Sequence, residues 1–199
     1  MSLRALLPFL TALVLPFATA SAINWEEIND GDLSNDGNAP QFIPFTDVHN
    51  IIEGTMGFNG TSLDNDIWTF TIDAGYELSA IDLVSYSAPP ATNSFMAIAS
   101  GGTIDTLDTS LHLSNALFTG DPLGPPDLLS SLQAGPEFGG LGFSGTLGPG
   151  TYTFWVREAT VEVNYCIDFV VTPVPVPEPG SALFLGLASF FCLRRRRTR

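Results

Sequence analysis

Five aspartates form two groups whose side chains could bind a hard cation. Asp30, Asp32 and Asp36 lie in a short stretch that is interrupted by glycines, and Asp64 and Asp66 come just before a run of apolar residues. Calcium takes about six to eight oxygen ligands, mostly carboxylates and carbonyls from loops that bend around the ion. The sequence therefore predicts a calcium site at one of these two loops.

The same aspartates have a second interpretation as turn-forming residues. An Asp side chain readily accepts hydrogen bonds from its own nearby backbone, and Gly31 and Gly37 favour turns in the first group. The spacing is not that of an EF-hand, because the glycine at the sixth loop position and the glutamate at the twelfth are missing. Both interpretations stay open, and calcium is the one cofactor that the sequence indicates.

Residues suited to hydrolysis are scarce. The chain has two histidines, His49 and His112, and it lacks the G-x-S-x-G and H-E-x-x-H patterns. Paired acids such as Glu26 and Glu27 suit a glycosidase, but acidic pairs are plentiful in any chain of this composition. We therefore predict a protein that is not an enzyme, with a secreted hydrolase as the third alternative.

Trp155 is a candidate for binding polysaccharide. It alternates with Tyr152 and Phe154 in one predicted strand, so its ring is expected on the outer face of that strand. A ring of this kind combines a broad apolar face with a polar N–H group, which suits a sugar. The other interpretation is that Trp155 packs beneath a loop.

The distribution of charge excludes one class of partner. The chain of 199 residues has a formal charge of −14 and contains no lysine. Between Ile23 and Thr172, Arg157 is the one cation among twenty acidic residues. Nucleic acids are bound through cationic contacts to phosphate, so we exclude nucleic acid as a ligand. A segment so acidic attracts divalent cations instead.

Short strands must position these residues. In the run 67–73, alternation places Trp68, Phe70 and Ile72 on one inward face. Further strands are expected over 51–56, 78–86, 95–99 and 111–113. One helical turn is expected over 127–133. Many short strands separated by turns favour an all-β fold, an antiparallel β-sandwich or jelly roll.

The two clearest strands lie near the end of this region. The runs 151–158 and 161–171 both alternate apolar and polar residues, which places one face of each strand on a core. Only Ala159 and Thr160 separate them. A link this short predicts that the two strands pair as a hairpin.

Residues 1–22 have the features of a secretory signal peptide. A positively charged start, an uncharged apolar stretch and small residues at Ala20 and Ala22 are typical of such a segment. The mature chain would therefore begin at Ile23. The expected partner at this stage is the Sec export machinery.

The other end of the chain combines a spacer with a short apolar segment. Residues 173–180 alternate proline with other residues, which favours an extended, semi-rigid spacer. Residues 181–199 contain the apolar segment and end in an arginine-rich tail. The segment is shorter than the roughly 20 apolar residues that usually span a bilayer. We predict a short transmembrane helix whose arginines stay cytoplasmic and hold the precursor in the inner membrane.

The order of motifs at this end resembles a known sorting signal. The residues concerned are Pro177, Glu178 and Pro179, followed by Arg194, Arg195, Arg196 and Arg197. Together with the apolar segment they closely resemble the PEP-CTERM signal of exported bacterial proteins. The resemblance implies that a membrane-embedded exosortase recognises the tail and cleaves near the Pro-Glu-Pro motif. The protein would then reach the cell surface or an exopolysaccharide matrix.

Two short phrases in the middle region resemble a second family. Residues 64–70 (DNDIWTF) and 148–154 (GPGTYTF) are similar to strand motifs of bacterial pre-peptidase C-terminal-like domains. The acidic stretch 30–36 also resembles the approach to their first strands. The resemblance implies a β-sandwich appended to a secreted protein, and some members of that family bind calcium or polysaccharide.

The sequence thus predicts four consecutive parts. They are a signal peptide over 1–22, an acidic β-sandwich ectodomain over 23–172, a spacer over 173–180 and a sorting helix with its arginine tail over 181–199. We expect an exported, non-enzymatic protein of the cell surface or extracellular matrix that an exosortase sorts. The alternative function is a polysaccharide-binding module stabilised by calcium.

Overall fold

The computed structural model describes residues 23–89, 92–119 and 127–175 as a mostly antiparallel β-fold. Its strands are β1 (Ile23–Glu26), β2 (Gln41–Phe42), β3 (His49–Phe58), β4 (Leu63–Ile72), β5 (Tyr76–Ser87), β6 (Ser94–Ser100), β7 (Ser114–Phe118), β8 (Gly150–Arg157) and β9 (Glu162–Pro173). The helices in these ranges are α1 (Glu27–Asp30), α2 (Leu128–Gln133) and a 3-10 helix over Thr109–Leu111. The predicted all-β class is confirmed.

The strands form one sheet that curls back on itself. Its order is β5-β9-β3-β4-β8-β6-β7. β3 and β4 pair only beside the turn that joins them, where Gly57 lies opposite Asp64 and Phe58 opposite Leu63. Beyond these pairs the two strands separate, and the half that contains β9 faces the half that contains β8. We call the gap between the diverging β3 and β4 the split.

Residues 23–42, which we call the N-terminal segment, occupy the split. β1 pairs in parallel with β3, and β2 pairs in parallel with β4. Between them, Ser34 forms an isolated bridge with Ile67, and the Leu33 side chain is buried. Where β3 and β4 diverge, their backbone N–H and C=O groups no longer pair with each other. The N-terminal segment supplies hydrogen-bonding partners for these groups instead.

An aromatic core lies between the two facing halves. The rings of Trp68, Phe70 and Phe154 pack around Phe169, with ring centroids 5.9, 5.3 and 5.2 Å from it. All four are fully buried, and Ile72 is nearly so, as the alternation in β4 predicted. Burying each large apolar side chain contributes about 2–3 kcal/mol. This core holds β4 in place and so fixes the residues that β4 presents to the split.

The prediction that β8 and β9 form a hairpin is wrong. β8 pairs with β4 and β6, whereas β9 pairs with β3 and β5. The short link instead carries the chain from one half of the sheet to the other. There the Glu158 carboxylate accepts hydrogen bonds from the backbone N–H and the hydroxyl of Thr160, at 2.9 and 2.7 Å. Because of this crossing, β8 and β9 lie in facing halves of the sheet, and their apolar faces meet across one core. Two strands paired in a hairpin would lie side by side and could not face each other in this way.

One short predicted strand is also wrong, and the predicted helical turn is confirmed. The run 111–113 begins in the last residue of the 3-10 helix instead of forming a strand, and β7 begins only at Ser114. The helix forms because the Asp108 side chain caps it, accepting a hydrogen bond from the Ser110 N–H at 3.0 Å. Helix α2 occupies the predicted helical position, and Asp127 caps it in the same way.

Candidate functional site

Three carboxylates from distant parts of the sequence meet at the split. Glu27 is the first residue of α1, Asp32 follows α1, and Asp66 lies within β4. One carboxylate oxygen from each lies within 4.8 Å of the other two. Pairing of β1 with β3 places Glu27 here. The alternation of β4 places Asp66 on the same inward side as Trp68.

Asp66 is a buried carboxylate without a partner. Its exposed fraction is 0%, and neither of its carboxylate oxygens accepts a hydrogen bond. Burial, and then the negative charge of Glu27, raise the pKa of Asp66 well above its usual range. An isolated charge in such surroundings is so costly that the group takes up a proton or binds a cation.

Tyr165 brings a second unpaired polar atom to the same place. Its side chain is fully buried, and its hydroxyl lies beside the Asp66 carboxylate, close enough to oppose the rise of the Asp66 pKa but without the geometry of an ordinary hydrogen bond. Burial, and then the charges of Asp66 and Glu27, raise the pKa of this hydroxyl well above its usual range. Gly54 leaves the necessary room, because a Cβ there would lie 2.8 Å from Cδ of Glu27 and 2.9 Å from the Tyr165 hydroxyl.

Glu27 is held in a fixed orientation. Its Oε2 accepts hydrogen bonds from the backbone N–H of Thr55 at 2.7 Å and from the Thr55 hydroxyl at 3.1 Å. Its Oε1 accepts a longer bond from the Leu33 N–H at 3.4 Å. Burial raises the pKa of Glu27, and these hydrogen bonds oppose the shift. The Glu27 carboxylate is therefore held by three hydrogen bonds and keeps lone pairs to spare.

A cavity of about 610 Å³ is lined by Glu27 and Asp32 of the cluster. Asp64 lines it and accepts a hydrogen bond from the Asn35 amide at 3.0 Å. Burial, followed by the charges of Asp32 and Glu162, raises the pKa of Asp64. The charged residues that line this cavity are all acidic, namely Glu26, Glu27, Asp32, Glu53, Asp64 and Glu162. Such a concentration of negative charge attracts cations.

The predicted aspartates divide between the two interpretations. Asp32, Asp64 and Asp66 lie at the split, as a cation site requires. Asp30 accepts a hydrogen bond from the Glu26 N–H at 2.8 Å, and Asp36 accepts one from the Asn38 N–H at 2.9 Å. Those two carboxylates therefore stabilise local turns.

Glu27 is the member of the cluster that sequence reasoning missed. The aspartates next to glycines stand out in the sequence, whereas Glu27 is only one of many paired acids. One signal was present in β4, because the alternation that buries Trp68 and Phe70 also places Asp66 on the inward face. A carboxylate in that position needs a partner, which would have justified a search for further acids.

Trp155 lies on the outer face of β8 but beneath other residues. Its exposed fraction is 3%, and its ring packs against Phe95, with ring centroids 4.9 Å apart, and against His112. A cavity of about 440 Å³ beside it is also lined by Phe138 and Arg157. A sugar that binds here would therefore contact residues at the edge of this cavity, because other side chains cover the flat face of the Trp155 ring.

The two histidines occupy structural positions. Nδ1 of His49 lies 2.7 Å from Oδ2 of Asp168, and Nε2 of the buried His112 lies 2.7 Å from the Asp105 carbonyl oxygen. Within the described ranges, neither histidine is hydrogen-bonded to a serine, threonine or cysteine side chain. These contacts do not assemble a nucleophile with its base.

The predicted targeting residues lie outside the described residues. They are Ala20 and Ala22 at one end, and Pro177, Glu178, Pro179, Arg194, Arg195, Arg196 and Arg197 at the other. Among residues 23–89, 92–119 and 127–175, no helix has both the length and the apolar character needed to cross a membrane.

No family model, curated protein or solved structure matches this chain. The chemistry of the cluster is therefore the guide to its role. The three clustered side chains offer only oxygen ligands, which suit hard cations such as calcium, manganese or magnesium and not zinc or copper.

Proposed function

We propose that the chain is an exported, non-enzymatic protein of the cell surface or matrix whose β-domain binds one divalent cation, preferably calcium, at Glu27, Asp32 and Asp66. The observation that carries this proposal is the fully buried Asp66 carboxylate with no hydrogen-bond partner. A bound cation would balance its charge and those of its two neighbours. Backbone carbonyls and water would complete the coordination.

The coordination that each ion tolerates favours calcium over magnesium. Calcium binds about six to eight oxygens at about 2.3–2.6 Å in flexible geometry. Magnesium binds at about 2.0–2.1 Å, demands a near-ideal octahedron and gives up its water reluctantly. A site built from three carboxylates with backbone carbonyls and water therefore suits calcium better.

A binding experiment tests the cation site. We expect calorimetric titration of the full chain in mild detergent to show one calcium ion bound per chain, and Asp66→Asn to weaken that binding by at least about tenfold. Asp36→Asn is the matched control, because it removes the same charge from the N-terminal segment while keeping an oxygen acceptor for Asn38. Equal affinity in the wild type and in Asp66→Asn would reject the site.

The proposed export route depends on the two ends of the sequence. We propose that Sec export, signal cleavage before Ile23 and exosortase recognition of Pro177, Glu178 and Pro179 deliver the domain. The order of the segments in the sequence supports this route, since the acidic region over 23–172 lies between the two targeting segments. We also propose that the two facing halves of the curled sheet correspond to the layers of a β-sandwich.

Processing of the tail is tested in the producing cell. Deleting residues 194–197, or replacing Pro177, Glu178 and Pro179 by alanine, should leave a longer, unprocessed precursor in the membrane fraction. The wild type should yield a shorter form at the surface or in the matrix. Normal maturation of both variants would refute sorting through the tail.

Polysaccharide binding is the second candidate function, and the cavity beside Trp155 favours it. Its lining combines the aromatic side chains of Phe95, Phe138 and Trp155 with the polar side chain of Arg157. Phe138 is 46% exposed, so Phe138→Ala should weaken binding to isolated exopolysaccharide in affinity electrophoresis without disturbing the core. Unchanged mobility of this variant beside the wild type would reject the cavity as a glycan site.

A further inference from the structure

The N-terminal segment brings acidic residues against other acidic residues. Its Glu26, Glu27 and Asp32 line one cavity together with Glu53 of β3, Asp64 of β4 and Glu162 of β9. Glu26 lies directly opposite Glu53 in the register of β1 and β3. Like charges that face each other between paired strands are destabilising. The place that the segment occupies is thus electrostatically unfavourable without added positive charge.

Among the residues that the structure describes, no lysine or arginine side chain lines this cavity to offset the charge. Between residues 23 and 172 the one lysine or arginine is Arg157, and it lines the other cavity, beside Trp155. His49 is engaged with Asp168. Positive charge at the split must therefore come from protons or from a bound cation.

The attractive contacts of the segment are limited in extent. β1 pairs with β3 at three positions, with an irregularity between Ile23 and Trp25, and β2 pairs with β4 at two positions. Leu33 is buried between these strands, while Ile28 is 87% exposed. Segments with few buried apolar contacts open locally at low cost in free energy.

We propose that a divalent cation controls whether the N-terminal segment is docked in the split. This inference rests on the proposed cation site. The ion joins Glu27 and Asp32 of the segment to Asp66 of the sheet, so binding and docking stabilise each other by the same factor. Without the ion, repulsion among the acids releases residues 27–36 and frees the N–H groups of Thr55 in β3 and Ile67 in β4, which bond to Glu27 and Ser34.

Cation-controlled docking would link completion of the fold to export. The predicted mature chain begins at Ile23, and Ile23 pairs with Ile51 of β3. Removal of the signal peptide would therefore produce a free N-terminus at the strand that starts the docked segment. Calcium outside the cytoplasm would then close the split.

Hydrogen exchange monitored by mass spectrometry tests this inference in the full chain in mild detergent. With calcium replaced by a chelator, we expect amides in residues 27–36 to exchange about tenfold faster, an ordinary size for coupling between sites. Amides in the paired centres of β8 and β9 should keep their rates. Calorimetry on the same sample measures calcium binding independently.

Asp32→Asn provides a second test that does not disturb the core, because Asp32 is exposed. This variant removes one repelling charge. In the chelator, its residues 27–36 should exchange more slowly than those of the wild type, whereas Asp36→Asn should not differ from the wild type. Slower exchange in Asp32→Asn supports repulsion as the cause of release.

The outcomes separate the inference from the proposed function. Calcium binding with unchanged exchange in residues 27–36 overturns cation-controlled docking and leaves the cation site intact. An absence of calcium binding refutes the site and removes the basis of the inference. Equal exchange rates of residues 27–36 in Asp32→Asn and in the wild type, both measured in the chelator, also overturn cation-controlled docking.

Discussion

Two buried carboxylates at different places in the fold have opposite surroundings. Glu158, at the crossing between β8 and β9, is 3% exposed and accepts hydrogen bonds from the Ser94 hydroxyl and from the N–H and hydroxyl of Thr160. Asp66, at the split, is 0% exposed and accepts none. Both belong to a domain with almost no positive charge. The protein thus satisfies one buried acid with hydrogen bonds and leaves the other without any.

The comparison shows how a ligand site is recognised in a very acidic protein. Acidic residues are so common here that a group of them says little. A carboxylate that is buried without hydrogen bonds is informative, because most buried polar groups in native proteins have a partner. The buried Asn50 shows the usual pattern, since its side chain bonds Asn24, Asp47 and the Phe169 carbonyl among others.

The largest expected effect concerns the satisfied acid. Glu158→Ala leaves the Ser94 hydroxyl and the Thr160 N–H without their partner, so we expect a loss of about 3 kcal/mol in the free energy of unfolding. Urea unfolding should give the same loss with calcium and with a chelator, because Glu158 lies outside the split. A loss that depends on calcium would contradict the distinction between the two acids.

Asp66→Asn should have an effect that depends entirely on the cation. At calcium about 100 times above its dissociation constant, the wild type gains about 2.7 kcal/mol of stability from the ion, and the variant loses this gain. In the chelator, the variant should be as stable as the wild type or more stable, because the buried charge is gone. A variant much less stable than the wild type in the chelator would show that Asp66 is already paired.

Gly54→Ala should weaken the site by displacing Glu27 and the neighbouring Tyr165. The added Cβ would lie 2.8 Å from Cδ of Glu27 and 2.9 Å from the Tyr165 hydroxyl, so both side chains must move. We expect calcium affinity to fall about tenfold, equivalent to about 1.4 kcal/mol. Gly148→Ala is the matched control, because its Cβ would meet nothing within 4 Å. Equal calcium affinity in both variants would remove Glu27 from the site.

The smallest expected effect is the dependence on pH. Burial raises the folded-state pKa of Asp66 above its ordinary value, and the pKa values of Glu27 and Asp64 are raised in the same direction. The folded protein therefore binds protons that the unfolded chain has released, so cation-free stability should rise as the pH falls from about 7 to about 5.

Saturating calcium should remove this rise, because the ion binds deprotonated carboxylates. Thermal unfolding at several pH values, once with saturating calcium and once with a chelator, measures this dependence of stability on pH. In the chelator, Asp66→Asn should show a flatter dependence than the wild type. A steeper rise with calcium than without it would contradict the assignment of the titrating groups to the cation site.

Local patterns predicted the strands well and their pairing poorly. Alternation identified β4, β8 and β9 and the inward positions of Trp68 and Phe70, because burial on one face leaves a period of two in the sequence. The length of the link between β8 and β9 did not decide its geometry. The expected link of two residues is four residues long in the structure (158–161), and a link of either length serves a hairpin or a crossing, so only packing of the distant strands selects one.

The cation cluster could be predicted only in part, because some of its contacts depend on the pairing of distant strands. Asp32, Asp64 and Asp66 belong to acidic groups that stand out in the sequence, whereas Glu27 joins them only because β1 pairs in parallel with β3. No alternation marks β1, which is four residues long. A contact between residues 27 and 66 that depends on such a pairing leaves no local trace.

The most direct test of the cation site is a crystal structure of the protein grown with calcium, with terbium as an anomalous substitute. We expect one ion bound by carboxylate oxygens of Glu27, Asp32 and Asp66 at about 2.3–2.6 Å. Well-defined density in which the Asp66 carboxylate is buried without an ion, in crystals that hold calcium elsewhere, would contradict the central claim.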